Sequence, residues 1–167
     1  CITDDDVGDR LADIVDLVLT HDRGINLRND DSVCAMQGDC VQVWRRARGY
    51  APAPVRLRQP LSNCVLAMGA ELKNTIAVGY DDEVVLSPHV GDLATPEALD
   101  GYETVCRCFP EFLSQRPDVV AVDLHPDMHS TRVGRRYAAE QGVPLCEVQH
   151  HQAHAWSCMA EHGLTSA

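Results

Sequence analysis

The sequence predicts an α/β fold, and three observations carry that expectation. Short apolar runs at Cys64–Met68, Thr75–Tyr80 and Glu83–Leu86, separated by tight turn residues, read as consecutive strands. From Thr95 onward, helical and strand-like patterns alternate, the mark of layered α/β architecture. Apolar residues make up 45% of the 167-residue chain but aromatics only 5%, so its core is to be built from Val, Leu, Ala and Ile. The length allows one domain or two small ones. A formal net charge of −11 disfavours non-specific binding to nucleic acid or to an anionic membrane.

The elements follow in order. Val7, Leu11, Ile14, Val15, Val18 and Leu19 recur every three or four residues, predicting an amphipathic helix over 5–21 with Asp4, Asp5 and Asp6 at its dipole-positive start. Ser32–Met36 and Val41–Arg45 predict two strands joined as a hairpin at Gly38-Asp39. Ala51-Pro52-Ala53-Pro54, with Pro60 behind it, reads as a linker or an extended crossing between domains. The three strands between Cys64 and Leu86 predict an antiparallel meander. Thr95-Pro96 opens a helix, Thr as N-cap and Pro in the first turn, that Pro110 is expected to break or kink near Phe109. Val119–Asp123 is a buried strand, Ser130–Gln141 a helix stopped by Gly142, Val143–Gln149 a strand, and His151–His162 a last helix ending at Gly163.

Eight cysteines, none in a C-x-x-C pair, allow disulfides by number, yet Cys64 and Cys146 fall in apolar runs where a buried thiol is the simpler reading. No apolar run is long enough to span a bilayer, and a reducing, cytoplasmic setting is expected. The chain begins at Cys1 rather than Met and stops shortly after a histidine cluster, so a piece of a longer polypeptide is expected.

Four stretches carry candidate chemistry. His150 and His154, four residues apart, share one face of a helix and can hold one transition-metal ion, with a third ligand to come from elsewhere. A solvated helix start rich in polar histidines is the other reading. Gly69-Ala70-Glu71-Leu72-Lys73-Asn74 forms a turn between strands where a glycine lets the backbone approach a phosphate and Lys73 supplies charge, or where Glu and Lys are merely solvated. Asp123-Leu124-His125-Pro126-Asp127 lies at the C-terminal end of a strand, the edge at which α/β sheets bind ligands. Its carboxylates and histidine suit proton transfer, substrate orientation or metal binding, while Asp127 or Ser130 could simply cap the next helix. Arg45, Arg46 and Arg48, with Ser32, form a basic strand end suited to an anion or to guarding a sheet edge.

These segments, taken together with Ser130-Thr131-Arg132, His89-Val90-Gly91-Asp92-Leu93 and Gln149-His150-His151-Gln152-Ala153-His154, resemble the HypF carbamoyltransferases in order and spacing. Arg28–Val33 and Arg45–Pro52 resemble the end of that family's YrdC-like domain. The resemblance implies a C-terminal part of a YrdC-like α/β domain over 1–57, followed over 58–167 by the first lobe of an actin-like ATPase (ASKHA) module. It implies a role in nickel–iron hydrogenase maturation: carbamoyl phosphate is activated with Mg-ATP as carbamoyl-adenylate, and the carbamoyl group passes to the C-terminal cysteine of the partner protein HypE. By the same resemblance His150 and His154 are ligands for Zn or Fe, with an aspartate from an absent second lobe as the third. Gly69, Lys73, Asn74, Ser32, Arg45 and Arg48 contact nucleotide or phosphate, and Asp123, His125 and Asp127 serve the chemistry. Gln152 departs from the family's H-H-H-A-H pattern at a position that is not a fixed ligand.

Two other readings compete. An O-carbamoyltransferase of secondary metabolism shares both modules but places the actin-like one first, against the order here. A non-catalytic metal-binding module would bind metal without pyrophosphate exchange. Because actin-like ATPases hold nucleotide between two lobes, the chain on its own is expected to have little or no transferase activity.

Overall fold

The structure is a computed structural model that describes residues 4–24, 27 and 29–164. It comprises helix α1 (Asp4–Leu11), strands β1 (Val33–Gln37) and β2 (Cys40–Arg45), β3 (Val55–Arg56), β4 (Val65–Ala67), β5 (Ala77–Tyr80), β6 (Glu83–Leu86), helix α2 (Pro96–Phe112), β7 (Val119–Asp123), α3 (His129–Gln141), β8 (Leu145–Val148) and α4 (His150–Glu161). The expected α/β class therefore holds. Strands β1 and β2 form a separate antiparallel hairpin, turning at Gly38 with a positive φ. The other six make one sheet in the order β3-β6-β5-β4-β7-β8.

Within that sheet β4, β5 and β6 form the expected antiparallel meander, and β7 and β8 add to it in parallel. One row of side chains runs across the face that packs inward: Val85, Val78, Leu66 and Val120 lie opposite one another and are all buried. Tyr102, Cys106 and Phe109 of α2 and Val133 and Ala138 of α3 complete the core against them. Gly134 brings α3 close to the sheet, since a Cβ there would run into Val122 and the Met68 side chain. The result places the C-terminal ends of the parallel strands β4, β7 and β8 at one edge, and these ends lead into Gly69, Leu124 and His150 respectively.

Five expectations are corrected, the first being that Cys146, read as a buried thiol, stands exposed. The helix predicted over 5–21 ends at Leu11, and Ile14, Leu17 and Leu19 stand exposed, Leu19 at 97%. An amphipathic helix draws most of its stability from the surface its apolar face covers, and among the described residues nothing covers this one. Pro110 does not break α2, which runs on to Phe112. A proline near a helix end forfeits a single backbone hydrogen bond, and full burial of its ring in the core offsets that cost. The proline-rich linker leads directly into β3, an unexpected strand that pairs with β6 at the sheet edge and anchors through Arg56 to Asp82 (2.9 Å) and Glu83 (2.7 Å). Neither Asp127 nor Ser130 caps α3; Met128 holds the N-cap position without a side-chain bond. Ser130 is buried, its hydroxyl unpartnered among the described residues, and Asp127 pairs with Arg132 at 3.5 Å.

Candidate functional site

The histidine pair sits where the sequence places it. Gln149 is the N-cap of α4, its side-chain oxygen accepting from the His150 N–H at 3.0 Å. One turn later His154 turns its ring toward His150, and the two Nε2 atoms lie 3.2 Å apart with the rings edge-to-face. Two nitrogens bound to one tetrahedral zinc at about 2.05 Å would be separated by roughly 3.3 Å, so this spacing fits a shared ion. Imidazole donors suit Zn and Fe alike. Among the described residues no third His, Cys, Asp or Glu completes a ligand set with the pair.

Asp123 ends β7 beside this pair. Its Oδ2 lies 2.6 Å from His150 Nδ1, and its Oδ1 accepts the His125 N–H at 2.8 Å. The side chain is only 8% exposed. The Thr131 hydroxyl donates to the Asp123 carbonyl at 3.0 Å, and the Leu124 N–H to the Val148 carbonyl at 2.9 Å. His125 Nδ1 in turn accepts the Asp127 N–H at 3.3 Å, which leaves the neutral ring's proton on Nε2. Asp123, His125, His150 and His154 thus belong to one cluster at the C-terminal edge of the sheet.

The Gly69–Asn74 hairpin rises from the same edge, and its residues divide in role. Gly69 has φ 70°, and a Cβ there would meet the Thr75 carbonyl at 2.6 Å, so the turn requires glycine. Asn74 is buried, and its amide donates to the Met68 carbonyl (3.1 Å) and the Ala70 carbonyl (2.5 Å). The Tyr102 hydroxyl donates to the same Met68 carbonyl at 2.7 Å, and burial pushes this phenol's pKa far above its ordinary value. The amide of Asn74, expected among the phosphate contacts, is therefore spent on shaping the turn. Lys73 is exposed at the tip, its backbone N–H held by Asp92 at 2.6 Å. Glu71, not singled out from the sequence, bridges the hairpin to α3: its Oε2 accepts the His129 N–H at 2.8 Å and its Oε1 lies 2.5 Å from His129 Nδ1.

Ser32, Arg45 and Arg48 lie apart from this edge, on or beside the β1–β2 hairpin. The Ser32 hydroxyl donates to the Arg48 carbonyl (2.8 Å) and accepts from the Ala47 N–H (2.9 Å). The Arg48 guanidinium donates twice to the Asn29 carbonyl, at 3.1 and 2.9 Å, and pairs with Asp31 at 3.6 Å. Arg45 closes β2, partly exposed.

The parallel strands of this α/β lobe end beside a histidine pair, the kind of sheet edge at which α/β proteins bind ligands. The profile of the HypF Kae1-like domain matches residues 60–161. Carbamoyltransferase HypF2 of Cupriavidus necator is 43% identical over 95% of this chain and 20% of its own length. Carbamoyltransferase HypF of Synechocystis is 38% identical over 98% of this chain and 21% of its own. A full-length HypF crystallised in a phosphate- and nucleotide-bound form superimposes with a TM-score of 0.87 at 37% identity, covering 99% of this chain and 26% of that one. HypF of T. kodakarensis gives the same TM-score at 33% identity. The chain belongs to the HypF family, and it spans about a fifth of the length of the curated relatives it matches.

Proposed function

We propose that this chain is the metal-bearing lobe of a HypF-type carbamoyltransferase, which activates the carbamoyl group of carbamoyl phosphate with Mg-ATP as carbamoyl-adenylate and delivers it to the C-terminal cysteine of a HypE-type partner in nickel–iron hydrogenase maturation. The observation that carries the reading is the convergence of His150 and His154 Nε2, 3.2 Å apart, at the edge where β4, β7 and β8 end. In support, the similar structure that covers the same segment holds phosphate and nucleotide.

In this reading His150 and His154 hold Zn or Fe, an ion that, when bound, supplies a Lewis acid for phosphate or carbonyl oxygens. Lys73, exposed on the hairpin tip, offers a point charge for an incoming phosphate. The Nε2–H of His125 donates to an oxygen of the nucleotide or of the carbamoyl group, and Asp127, paired with Arg132, holds the far end of that loop. Gly69 and Asn74 act by shaping the hairpin rather than through an amide bond to phosphate. Ser32, Arg45 and Arg48 belong to the separate YrdC-like portion and serve nucleotide binding there.

The test is carbamoyl-phosphate-dependent exchange of pyrophosphate into ATP by the intact protein. His150→Ala and His154→Ala abolish exchange and carbamoyl transfer if the reading is right; unchanged turnover in either variant refutes it.

A further inference from the structure

Asp123 joins the His125 loop to the histidine pair of α4. Its two oxygens face different partners: Oδ1 takes the His125 N–H at 2.8 Å, and Oδ2 meets His150 Nδ1 at 2.6 Å. A carboxylate with no proton of its own accepts only, so the short contact puts the imidazole proton on Nδ1. His150 Nε2 then carries a lone pair, the form in which a ring can bind a metal, and it faces His154 Nε2 at 3.2 Å. Asp123 itself meets the wrong nitrogen to share the ion that the two Nε2 atoms face.

We propose that Asp123 is a positioning residue that fixes the tautomer and orientation of His150, so that Nε2 presents its lone pair to the shared metal, and that couples this ring to the His125 loop through its second oxygen. The inference rests on the metal reading of the histidine pair. A carboxylate behind a ligating histidine raises the donor strength of the ring and removes the freedom to rotate or to adopt the other tautomer. The setting suits that work: the carboxylate is nearly buried, and the peptide that follows it is held by Thr131 and Val148.

The experiment is a competition titration of Zn²⁺ against a chromophoric chelator on the intact protein, with Co²⁺ absorption spectra at saturation as the second readout. His150→Ala is the control for the metal reading itself and removes the tight site. Asp123→Ala is expected to weaken Zn²⁺ binding about 10- to 100-fold while keeping one ion per chain. Asp123→Asn keeps the size and the acceptor for the His125 N–H, guards against a misfolded alanine variant, and is expected to weaken binding by at least about tenfold. In both variants the visible bands of bound Co²⁺ shift, a change that a purely structural role would not produce. Affinity within twofold of the parent in Asp123→Asn, together with an unchanged Co²⁺ spectrum, overturns the inference while leaving the metal site standing. Tight binding that survives His150→Ala overturns the metal reading instead.

Discussion

Glu71 and His129, 58 residues apart in sequence, are joined by both oxygens of one carboxylate: one accepts the His129 backbone N–H at 2.8 Å, the other meets its ring at 2.5 Å. The contact makes the Gly69–Asn74 hairpin the cap of α3, a helix whose own N-cap residue offers none. Removing the carboxylate in Glu71→Ala leaves the first N–H of α3 without its acceptor and costs about 1 kcal/mol. Thermal melts of the variant should fall by a few degrees, with faster amide exchange at His129, and Glu71→Gln should restore most of the loss; an unchanged exchange rate in Glu71→Ala would count against the cap.

Asn74 provides a second test. Its amide faces two carbonyl oxygens in a buried turn, so Asn74→Asp replaces a donor with an acceptor beside acceptors. The Met68 carbonyl keeps the Tyr102 hydroxyl, but the Ala70 carbonyl loses its amide donor, which costs about 1–3 kcal/mol, and more where charge is added. Stability measured by urea unfolding should drop in both Asn74→Ala and Asn74→Asp, with Asp the worse. If Asn74→Ala instead raised the KM for ATP at unchanged stability, the side chain would be a nucleotide contact after all.

Gly134 predicts an overpacking effect. A methyl group there meets Val122 and comes within 2.8 Å of Met68 Cγ, both part of the core beneath α3. Gly134→Ala should therefore lose about 1–3 kcal/mol despite alanine's better helix propensity. A denaturation midpoint equal to or above that of the parent would show that α3 can shift to make room.

Cys106 should be chemically silent in the native protein. Burial first, and the Glu103 carboxylate in addition, push its thiol from the ordinary 9.0 up to about 12, with the neighbouring Tyr102 working in the opposite direction. Below pH 9 both folded and unfolded chains keep this thiol protonated, so its contribution to stability is fully present. As pH rises from about 9 to about 12 the unfolded chain ionises while the folded one does not, and that contribution is progressively lost. Alkylation at pH 8 should modify the exposed Cys34, Cys40, Cys108, Cys146 and Cys158 and spare Cys106 until denaturant is added. Native-state labelling of Cys106 at a rate matching Cys108 would contradict its burial.

The helix that carries the histidine pair has no buried residue, and Trp156 on it is 57% exposed. Elements with few buried contacts open at low free-energy cost. Hydrogen exchange on the chain alone should find the amides of α4 beyond its first turn far less protected than those of β4, β5 and β7. Equal protection would mean that α4 is stabilised by contacts beyond those described.

Much of this site was legible because its signals are local. The i, i+4 spacing of His150 and His154 needs only a helix, and the helix needs only the residues around it. Asp123 follows from the same logic, a carboxylate at the end of an apolar strand. The partnership of Glu71 with His129 had no such signal, because it arises from two elements that meet only once the sheet has formed. The region before β1 misled for the opposite reason: the heptad-like spacing from Val7 to Leu19 is a real local pattern, but a helix also needs a surface to cover. Pro110 misled in a third way, since its burial in the core outweighs its local cost. The bonds of Ser32 and Arg48 to the backbone of 29, 47 and 48 carry no local signal and emerge only with the fold.

The order of strands also sets a sequence of events. The meander β4–β5–β6 joins neighbours through short turns, whereas β7 reaches β4 across 54 residues, the span bridged by the Cys64 N–H and the Asp118 carboxylate. Closing so long a loop is entropically slower than zipping a hairpin. The glycine turn is therefore expected to form before the aspartate strand arrives beside it, so that the orienting carboxylate reaches a hairpin already shaped.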